Sequence, residues 1–112
     1  MEYSSYLDMG IAYAEEYNHF NALKCYEIAI KQEGSYLRGL NNIGATYAEL
    51  GLIPQARTAF DECIAAFEKG RTEKDNKPEL YYLNRARLHH RDRDFELMTS
   101  DIKKAMQSDP NS

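Results

Sequence analysis

Apolar side chains recur three and four positions apart along most of this chain, which is the spacing of residues on one face of an α-helix. In the first part of the chain these positions are Tyr6, Met9, Tyr13 and Tyr17, followed by Leu23, Tyr26, Ala29 and Ile30. The regular alternation of apolar and polar residues that a half-buried strand requires is not seen. The pattern therefore predicts a chain built of amphipathic helices.

Short breaks in this pattern divide the helices into pairs. One break lies at residues 17–19 and a second at residues 50–52. Glycine readily adopts the left-handed conformation that ends many helices, so Gly51 suits a helix C-terminus, and Pro54 is tolerated in the first turn of the next helix. Gly34 closes the first pair, and the last helix is predicted from Phe95 to Ser108.

The chain also repeats itself when it is shifted by 34 residues. A period of about 20 to 50 residues is typical of proteins built from stacked supersecondary units, each of which buries its apolar face on its neighbours. The identical pairs in the first two units are Gly10 and Gly44, Tyr13 and Tyr47, Ala14 and Ala48, Glu15 and Glu49, Ala22 and Ala56, and Ile30 and Ile64.

A third unit follows the same register at Tyr82, Ala86 and Ala105 and ends in Asp-Pro at residues 109–110. It starts late, since Gly44 and Ala86 are 42 residues apart, eight more than one period. We predict a single domain over residues 1–112 with repeats at approximately 3–36, 37–70 and 79–112. Residues 71–78 are then an inserted loop or an extension of the preceding helix.

The two clearest units share one motif. It reads Tyr6-x-x-Met9-Gly10-x-x-Tyr13 with Ala22-x-x-x-Tyr26-x-x-Ala29, and then Leu40-x-x-Ile43-Gly44-x-x-Tyr47 with Ala56-x-x-x-Phe60-x-x-Cys63. This motif resembles that of the tetratricopeptide repeat (TPR) family. The resemblance implies an all-α fold, a right-handed superhelical stack of three antiparallel helical hairpins that forms a TPR-like α-solenoid. Gly10 and Gly44 would let a neighbouring helix approach closely.

The third unit is a degenerate version of the motif. Arg85 stands where an aliphatic residue is expected, His89 where a tyrosine is expected, and Met98 where an alanine is expected. The tyrosines in the motif register are expected to pack in the core rather than to stack on nucleic-acid bases. These tyrosines are Tyr6, Tyr13, Tyr26, Tyr47 and Tyr82.

The composition fits one ordinary folded domain. The 112 residues are 43% hydrophobic and 29% charged. No apolar run approaches the roughly 20 residues that cross a bilayer, so we expect no membrane as a partner. The first five residues lack the basic and apolar segments of a secretory leader, and we therefore expect a cytoplasmic or nuclear protein.

The sequence contains no constellation of catalytic residues. There is no phosphate-cradling glycine loop, nucleophile elbow or zinc-protease motif, so we predict no enzyme activity, no catalytic residue and no cofactor. Cys25 and Cys63 lack the spacing of metal ligands and are expected to be buried. Adjacent helical residues point about 100° apart, so His89 and His90 cannot easily chelate one ion, and no metal site is predicted.

Charge is unevenly distributed along the chain. The net charge of −4 argues against general nucleic-acid binding, which needs a surplus of lysine and arginine. Residues 1–36 carry six acidic and two basic residues, whereas residues 80–93 contain Arg85, Arg87, Arg91 and Arg93. Nucleic-acid binding through the third repeat is thus an alternative function, although such a run of charges is usually a solvated helix face.

The resemblance also implies a binding surface. In TPR proteins the first helix of each hairpin lines a concave groove that holds a segment of a partner. The corresponding helix faces carry Leu7, Ile11, Arg38, Asn41, Asn42, Glu49, Leu83, Asn84, Arg87 and Arg91. We predict a protein-interaction scaffold or adaptor whose protein or peptide partner has acidic residues facing the third repeat.

A second alternative is a co-chaperone or peptide-sensing module with an atypical carboxylate clamp. Members of the family with this function bind C-terminal carboxylates through lysine, asparagine and arginine side chains on the three units. Only Asn42 matches that set, because the other positions hold Leu7, Ile11, Leu80 and Asn84. Bidentate carboxylate binding needs the missing cations.

The last helix carries more apolar surface than one narrow stripe. Its apolar residues are Phe95, Leu97, Met98, Ile102, Ala105 and Met106. Leu97 and part of the methionine surface are expected to stay exposed, and exposed apolar patches of roughly a few hundred Å² usually mark an interface. We therefore predict either self-association through the C-terminal hairpin or attachment to the rest of a longer protein.

Overall fold

The computed structural model of the chain describes residues 5–109 and residue 111. Within these residues the chain forms six helices and no strand, as predicted. The helices are α1 (Tyr6–Glu15), α2 (His19–Gln32), α3 (Tyr36–Glu49), α4 (Ile53–Glu68), α5 (Pro78–Arg91) and α6 (Phe95–Ser108). The predicted repeat limits Tyr3 and Ser112 and the terminating Pro110 lie outside the described residues.

Consecutive helices pack as three hairpins, α1 with α2, α3 with α4, and α5 with α6. Between hairpins, α2 packs on α3 and α4 packs on α5, while α1 touches α3 and α3 touches α5. Each hairpin therefore lies beside its neighbour in chain order, and the first helices α1, α3 and α5 share one layer. The Cα atoms extend over 42 × 29 × 22 Å.

Two glycines set the helix spacing within the first two hairpins. A Cβ atom on Gly10 would lie 2.5 Å from Cε1 of Tyr26, and one on Gly44 would lie 2.5 Å from Cε1 of Phe60. Carbon atoms in contact normally stay about 3.5 to 4 Å apart, so no side chain fits at either position without movement. The aromatic rings of α2 and α4 thus pack directly on the backbone of α1 and α3, as the predicted close approach requires.

The turns inside the three hairpins share one backbone geometry. Tyr17, Gly51 and Arg93 occupy equivalent positions, and all three are left-handed, with φ of 60°, 78° and 58°. In each turn the following residue donates its N–H to the carbonyl five positions earlier over 2.8 to 2.9 Å, which is the long bond of the Schellman motif. Residues other than glycine rarely adopt this conformation, so Tyr17 and Arg93 are less favourable there than Gly51.

The insertion between the second and third hairpins is a loop and not a helical extension. Residues 69–77 lie between α4 and α5 without helical structure. The carboxylate of Glu73 accepts hydrogen bonds from the N–H groups of Leu37 and Arg38 in the first turn of α3. Ser35, the N-cap residue of α3, makes no side-chain capping bond. Glu73 therefore takes that role, with its negative charge at the favourable end of the helix dipole.

Four of the five tyrosines predicted to pack do so to different degrees. Tyr26 and Tyr82 are buried, and Tyr13 and Tyr47 are half-buried. The prediction for Tyr6 is wrong, since this residue is 37% exposed. It lies in the first turn of α1, which packs against α2 and α3 within the described chain.

Both cysteines are buried free thiols, as predicted. Burial raises the pKa of Cys63 and the pKa of Tyr26, each to about 12. The ordinary pKa values of these groups are 9.0 and 10.0, so the unfolded chain loses these protons at lower pH than the folded chain does. Unfolding thus releases protons in alkaline solution, and it becomes more favourable as the pH rises.

We expect the contribution of these groups to stability to be complete below about pH 8 and to be lost progressively up to about pH 12. Urea unfolding followed by circular dichroism at stepped pH measures this loss. Cys63→Ala is the matched variant, because it should lose less stability than the parent between about pH 8 and 9, where unfolded tyrosines are still mostly protonated. Equal urea midpoints at pH 8 and pH 11 would contradict the prediction.

Candidate functional site

A cavity of about 250 Å³ opens along the first helices of all three hairpins. Its walls come from α1, α3 and α5 and from the loop at 69–77. The lining residues are Leu7, Asp8, Ile11, Arg38, Asn41, Asn42, Asp75, Lys77, Leu80 and Tyr81. We call this space the groove cavity. Five of the ten residues predicted for the groove line it together, and they come from α1 and α3.

The inserted loop forms one wall of the groove cavity through Asp75 and Lys77. Besides the contact of Glu73 with α3, a second contact fixes this wall. The hydroxyl of the buried Tyr81 donates a hydrogen bond to Oδ1 of Asn76 over 2.6 Å. Helical periodicity gave no indication that the loop borders the groove. The one signal in the sequence was the lengthened interval before the third unit.

Three of the predicted groove residues join α3 to α5 through side-chain hydrogen bonds. Nδ2 of Asn84 donates to Oδ1 of Asn41 over 2.9 Å, and Nη1 of Arg87 donates to Oδ1 of Asn84 over 2.7 Å. Asn41 is buried, Asn84 is half-buried and Arg87 is exposed. The network therefore runs from the core to the surface along the boundary between the second and third hairpins.

Arg38 brings a positive charge to the groove cavity from the first turn of α3. Its Nη2 donates a hydrogen bond to Oγ of Ser35 over 3.3 Å. Its Nε is buried and has no hydrogen-bond partner among the residues that the structure describes. Buried polar groups in native proteins are nearly always paired, so this N–H is an exception within the described residues.

The remaining predicted groove residues lie outside the groove cavity. Leu83 and Arg87 line a second cavity of about 260 Å³ with Ala86, His90, Met98 and Ile102. Glu49 and Arg91 are the last residues of α3 and α5. Arg91 is about 16 Å from Leu80 along the axis of α5, given the rise per residue of a helix. The predicted surface is thus divided into separate parts.

Leu7 contributes less to the groove cavity than the helix-face prediction implied. It is 4% exposed and belongs to a core cluster with Ala22, Tyr26 and Ala29. The exposed apolar side chains at the rim are instead Ile11 and Leu80. The position of Leu7 depends on how the second helix of its own hairpin packs, which a single helix face does not reveal.

The third hairpin holds a buried ionic cluster in place of the usual packing. Nε and Nη2 of Arg85 each donate to one carboxylate oxygen of Asp101 over 2.8 Å, and Nε2 of His89 lies 3.3 Å from Oδ2 of Asp101. Asp101 is 2% exposed. The hydrogen bonds to Asp101 are the main cause of the raised pKa of Arg85. A further bond of 3.1 Å joins Arg85 to Asp61 of α4.

This cluster corrects the expectation of a solvated arginine face on α5. Arg85 points into the hairpin toward Asp101, and Arg87 is bonded to Asn84. Arg91 and Arg93 are exposed and lie at and beyond the end of the helix. The four arginines therefore face different surroundings and do not form one basic surface.

The two adjacent histidines have separate environments. His89 is buried beside Asp101, whereas the ring of His90 meets that of Phe95 edge-on at 6.1 Å. Across the described part of the chain, no group of three or more histidine, cysteine, aspartate or glutamate side chains could hold a metal ion. None of the described helices is both long enough and apolar enough to cross a membrane.

Over the residues that the structure describes, the fold is all-helical, with six helices packed as three successive hairpins. No family model matches the chain, and neither the curated proteins nor the solved structures give a significant match. What the groove cavity can bind must therefore be argued from its own residues.

Proposed function

We propose that the chain is a TPR-like interaction scaffold, a right-handed stack of three hairpins that binds a segment of a partner protein and performs no chemistry. The observation that carries the proposal is the groove cavity, because the first helices of all three hairpins contribute to it. A segment that lies in this cavity touches every hairpin. Such shared concave surfaces are the usual binding sites of helical repeat proteins.

The packing around the glycines supports the repeat assignment. Gly10 faces the ring of Tyr26, and Gly44 faces the ring of Phe60 in the same way one period later. The left-handed turns also recur at equivalent positions. Equal local geometry at equal sequence intervals is what stacked units of one type require.

The groove cavity suits a partner with both apolar and acidic side chains. Ile11 and Leu80 expose apolar surface at its rim. Arg38 and Lys77 line it together with Asp8 and Asp75, which offset their charge. The preference for an acidic partner therefore rests on Arg87, which lies beside Asn84 on the adjoining surface of the third hairpin. A guanidinium has five N–H donors, and Arg87 uses one of them on Asn84, so it retains donors for a carboxylate of the partner.

The proposal is tested with peptides selected from a random display library on the intact chain. We expect the selected peptides to carry acidic residues and to shift the amide NMR signals of Ile11, Asn42 and Asn84. Signals that move only on the outer faces of α2 and α6, such as those of Lys24 and Lys103, would overturn the proposed groove. Tight binding of single-stranded RNA with a steep salt dependence would favour the nucleic-acid alternative.

Charge reversal at the third hairpin tests the proposed contact of Arg87 with the partner beside the groove cavity. Arg87→Glu should slow the association of a selected acidic peptide at least about tenfold at low salt and weaken the salt dependence of its rate. Stopped-flow binding at two ionic strengths measures both effects. Lys103→Glu on α6 is the matched control and should leave the rate nearly unchanged. An equal loss in both variants would mean that overall charge, and not the groove, attracts the peptide.

A further inference from the structure

The turns inside the three hairpins lie on one side of the molecule. The hairpins are neighbours in chain order, and side-chain contacts link the turn regions directly. Nε2 of His19 lies 3.8 Å from Oε2 of Glu49 between the first and second hairpins, and Arg57 pairs with Asp92 between the second and third. The connections between hairpins, including the loop that walls the groove cavity, lie on the opposite side.

Exposed apolar side chains concentrate on this side. Of the ten large apolar residues that are exposed in the described chain, six flank the three turns. We call these six the turn edge: Tyr17, Phe20, Leu50, Leu52, Phe95 and Leu97. Single exposed apolar residues are normal, but a contiguous patch on a folded protein usually marks an interaction site. Leu97 is among them, as expected for the C-terminal hairpin.

The turn edge is large enough for a specific contact. A large side chain offers on the order of 200 Å² when fully accessible, so six side chains that are 41 to 79% exposed present roughly 600 Å². Two such patches facing each other would bury roughly 1,200 Å², which is the lower limit of stable, specific protein interfaces.

Tyr17 adopts the left-handed conformation of the Schellman turn, although it is not a glycine. Its φ is 60°, at the position where the second hairpin has Gly51. The side chain is 79% exposed, so it gains little packing in return for this conformation. Unfavourable backbone geometry of this kind tends to persist at functional positions. An exposed aromatic side chain at the tip of a turn is well placed to contact a partner.

Exposed side chains of opposite charge that take part in no ion pair lie at the two ends of the turn edge. Glu15 and Glu16 are exposed beside the first turn, and Arg91 and Arg93 are exposed beside the third. None of these four takes part in an ion pair within the described residues. They are therefore available to pair with groups on another molecule.

The acidic residues of the third turn balance its arginines in net charge. Asp92 is paired with Arg57, and Asp94 accepts the N–H of Leu97 as the N-cap of α6. Glu96 adds one exposed negative charge there. With Arg57 counted, these acids balance the arginines in net charge, and the exposed side chains of Arg91 and Arg93 are the groups that can pair with acids of another molecule.

We propose that the turn edge is the interface of an antiparallel homodimer, in which Leu50 and Leu52 of two copies meet on the two-fold axis. A two-fold contact requires a self-complementary surface, which the turn edge provides. Leu50 and Leu52, the apolar residues at its centre, contact the same two residues of the second copy. Glu15 and Glu16 of each copy face Arg91 and Arg93 of the other copy. The groove cavity stays open, since it is walled by the loop on the opposite side.

The proposal is tested by sedimentation equilibrium of the intact chain over a wide concentration range. We expect a monomer–dimer equilibrium whose dissociation constant rises at least tenfold in the variant Leu50→Ser with Leu52→Ser. Leu80→Ser with Met106→Ser is the matched control, because it removes two exposed apolar side chains outside the turn edge and should leave the dimer unchanged. Circular dichroism checks that both variants fold.

Charge reversal tests the antiparallel arrangement separately. Glu15→Lys with Glu16→Lys, or Arg91→Glu with Arg93→Glu, should each weaken the homodimer at least tenfold, because like charges then face each other. An equimolar mixture of the two variants should restore a dimer, now a heterodimer, and this rescue also shows that both chains are folded.

Several results would overturn the proposal. A monomer at all concentrations would mean that the turn edge does not bind a second copy and serves another partner or none. Oligomers that keep growing with concentration would indicate a head-to-tail contact, which does not close at two copies. Loss of the dimer on Leu83→Ser with Met98→Ser, but not on changes at Leu50 and Leu52, would place the interface at the second cavity.

Discussion

Asp101→Ala should lower the free energy of unfolding by about 3 to 5 kcal/mol, the usual cost of removing one partner from a buried ion pair. The Asp101 side chain is 3% exposed and that of Arg85 is 17% exposed. Without Asp101, the two bonds of 2.8 Å to the guanidinium disappear and the charge stays largely buried. Asp61 makes one bond of 3.1 Å and is itself exposed, so it compensates little. Urea unfolding at pH 7 measures the loss.

A triple variant serves as the matched control for this prediction. Arg85→Ile, His89→Tyr and Asp101→Ala together give the third hairpin the residues that the second hairpin carries at the same register, which are Ile43, Tyr47 and Ala59. Replacing a whole buried ionic cluster by apolar packing is often neutral or stabilising. We expect the triple variant to be within about 1 kcal/mol of the parent or above it. A loss as large as that of Asp101→Ala would contradict this account.

The ionic cluster could not be predicted from either helix alone, because its residues come from both α5 and α6. Arg85 and His89 depart from the repeat motif in α5, and from the sequence alone they indicate only that the third unit is degenerate. Their partner Asp101 lies in α6, where it looks like an ordinary polar residue of a surface helix. The position of Asp101 within the repeat nevertheless indicates burial, because the equivalent residues of the first two units, Cys25 and Ala59, are both buried. An acid at a buried position calls for a cation, and Arg85 is the cation that breaks the motif.

The helices and their pairing follow from local rules that a single sequence displays. The break at Gly51, the helix start near Pro54 and the period of 34 residues depend on backbone preference and apolar spacing. The position of the inserted loop depends instead on a contact between residues that are far apart in the sequence. Glu73 reaches the first turn of α3, 36 residues away from Leu37, and no periodicity encodes that contact.

The candidate site was predictable in part for the same reason. Helix faces place Ile11, Arg38 and Asn42 on a common surface, and the structure places them in one cavity. They do not show how far along each helix the cavity extends, and Glu49 and Arg91, the last residues of α3 and α5, lie away from it. Distances along helices are local properties, whereas the continuity of a surface across three hairpins is not.

Gly44→Leu should destabilise the fold by about 3 kcal/mol or more, because overpacking typically costs about 1 to 3 kcal/mol and the separation of α3 from α4 adds to it. The first added atom would already lie 2.5 Å from the ring of Phe60, which is held in the core at 2% exposure. Thermal unfolding followed by circular dichroism measures the loss. An unchanged melting temperature would mean that Gly44 does not face α4.

The third hairpin supplies the control that isolates this contact. In the third hairpin, Ala86 occupies the position of Gly44, and Ile102 occupies the position of Phe60. The methyl group of the alanine is thus combined with a smaller side chain on the facing helix. Gly44→Ala alone gains about 0.5 to 1 kcal/mol from the higher helix preference of alanine, but its methyl group collides with the ring of Phe60. Phe60→Ile alone leaves a cavity where the ring was. The double variant should therefore be more stable than the sum of the two single changes predicts, by about 0.5 to 3 kcal/mol in a double-mutant cycle. Strict additivity would show that the glycine and the ring do not touch.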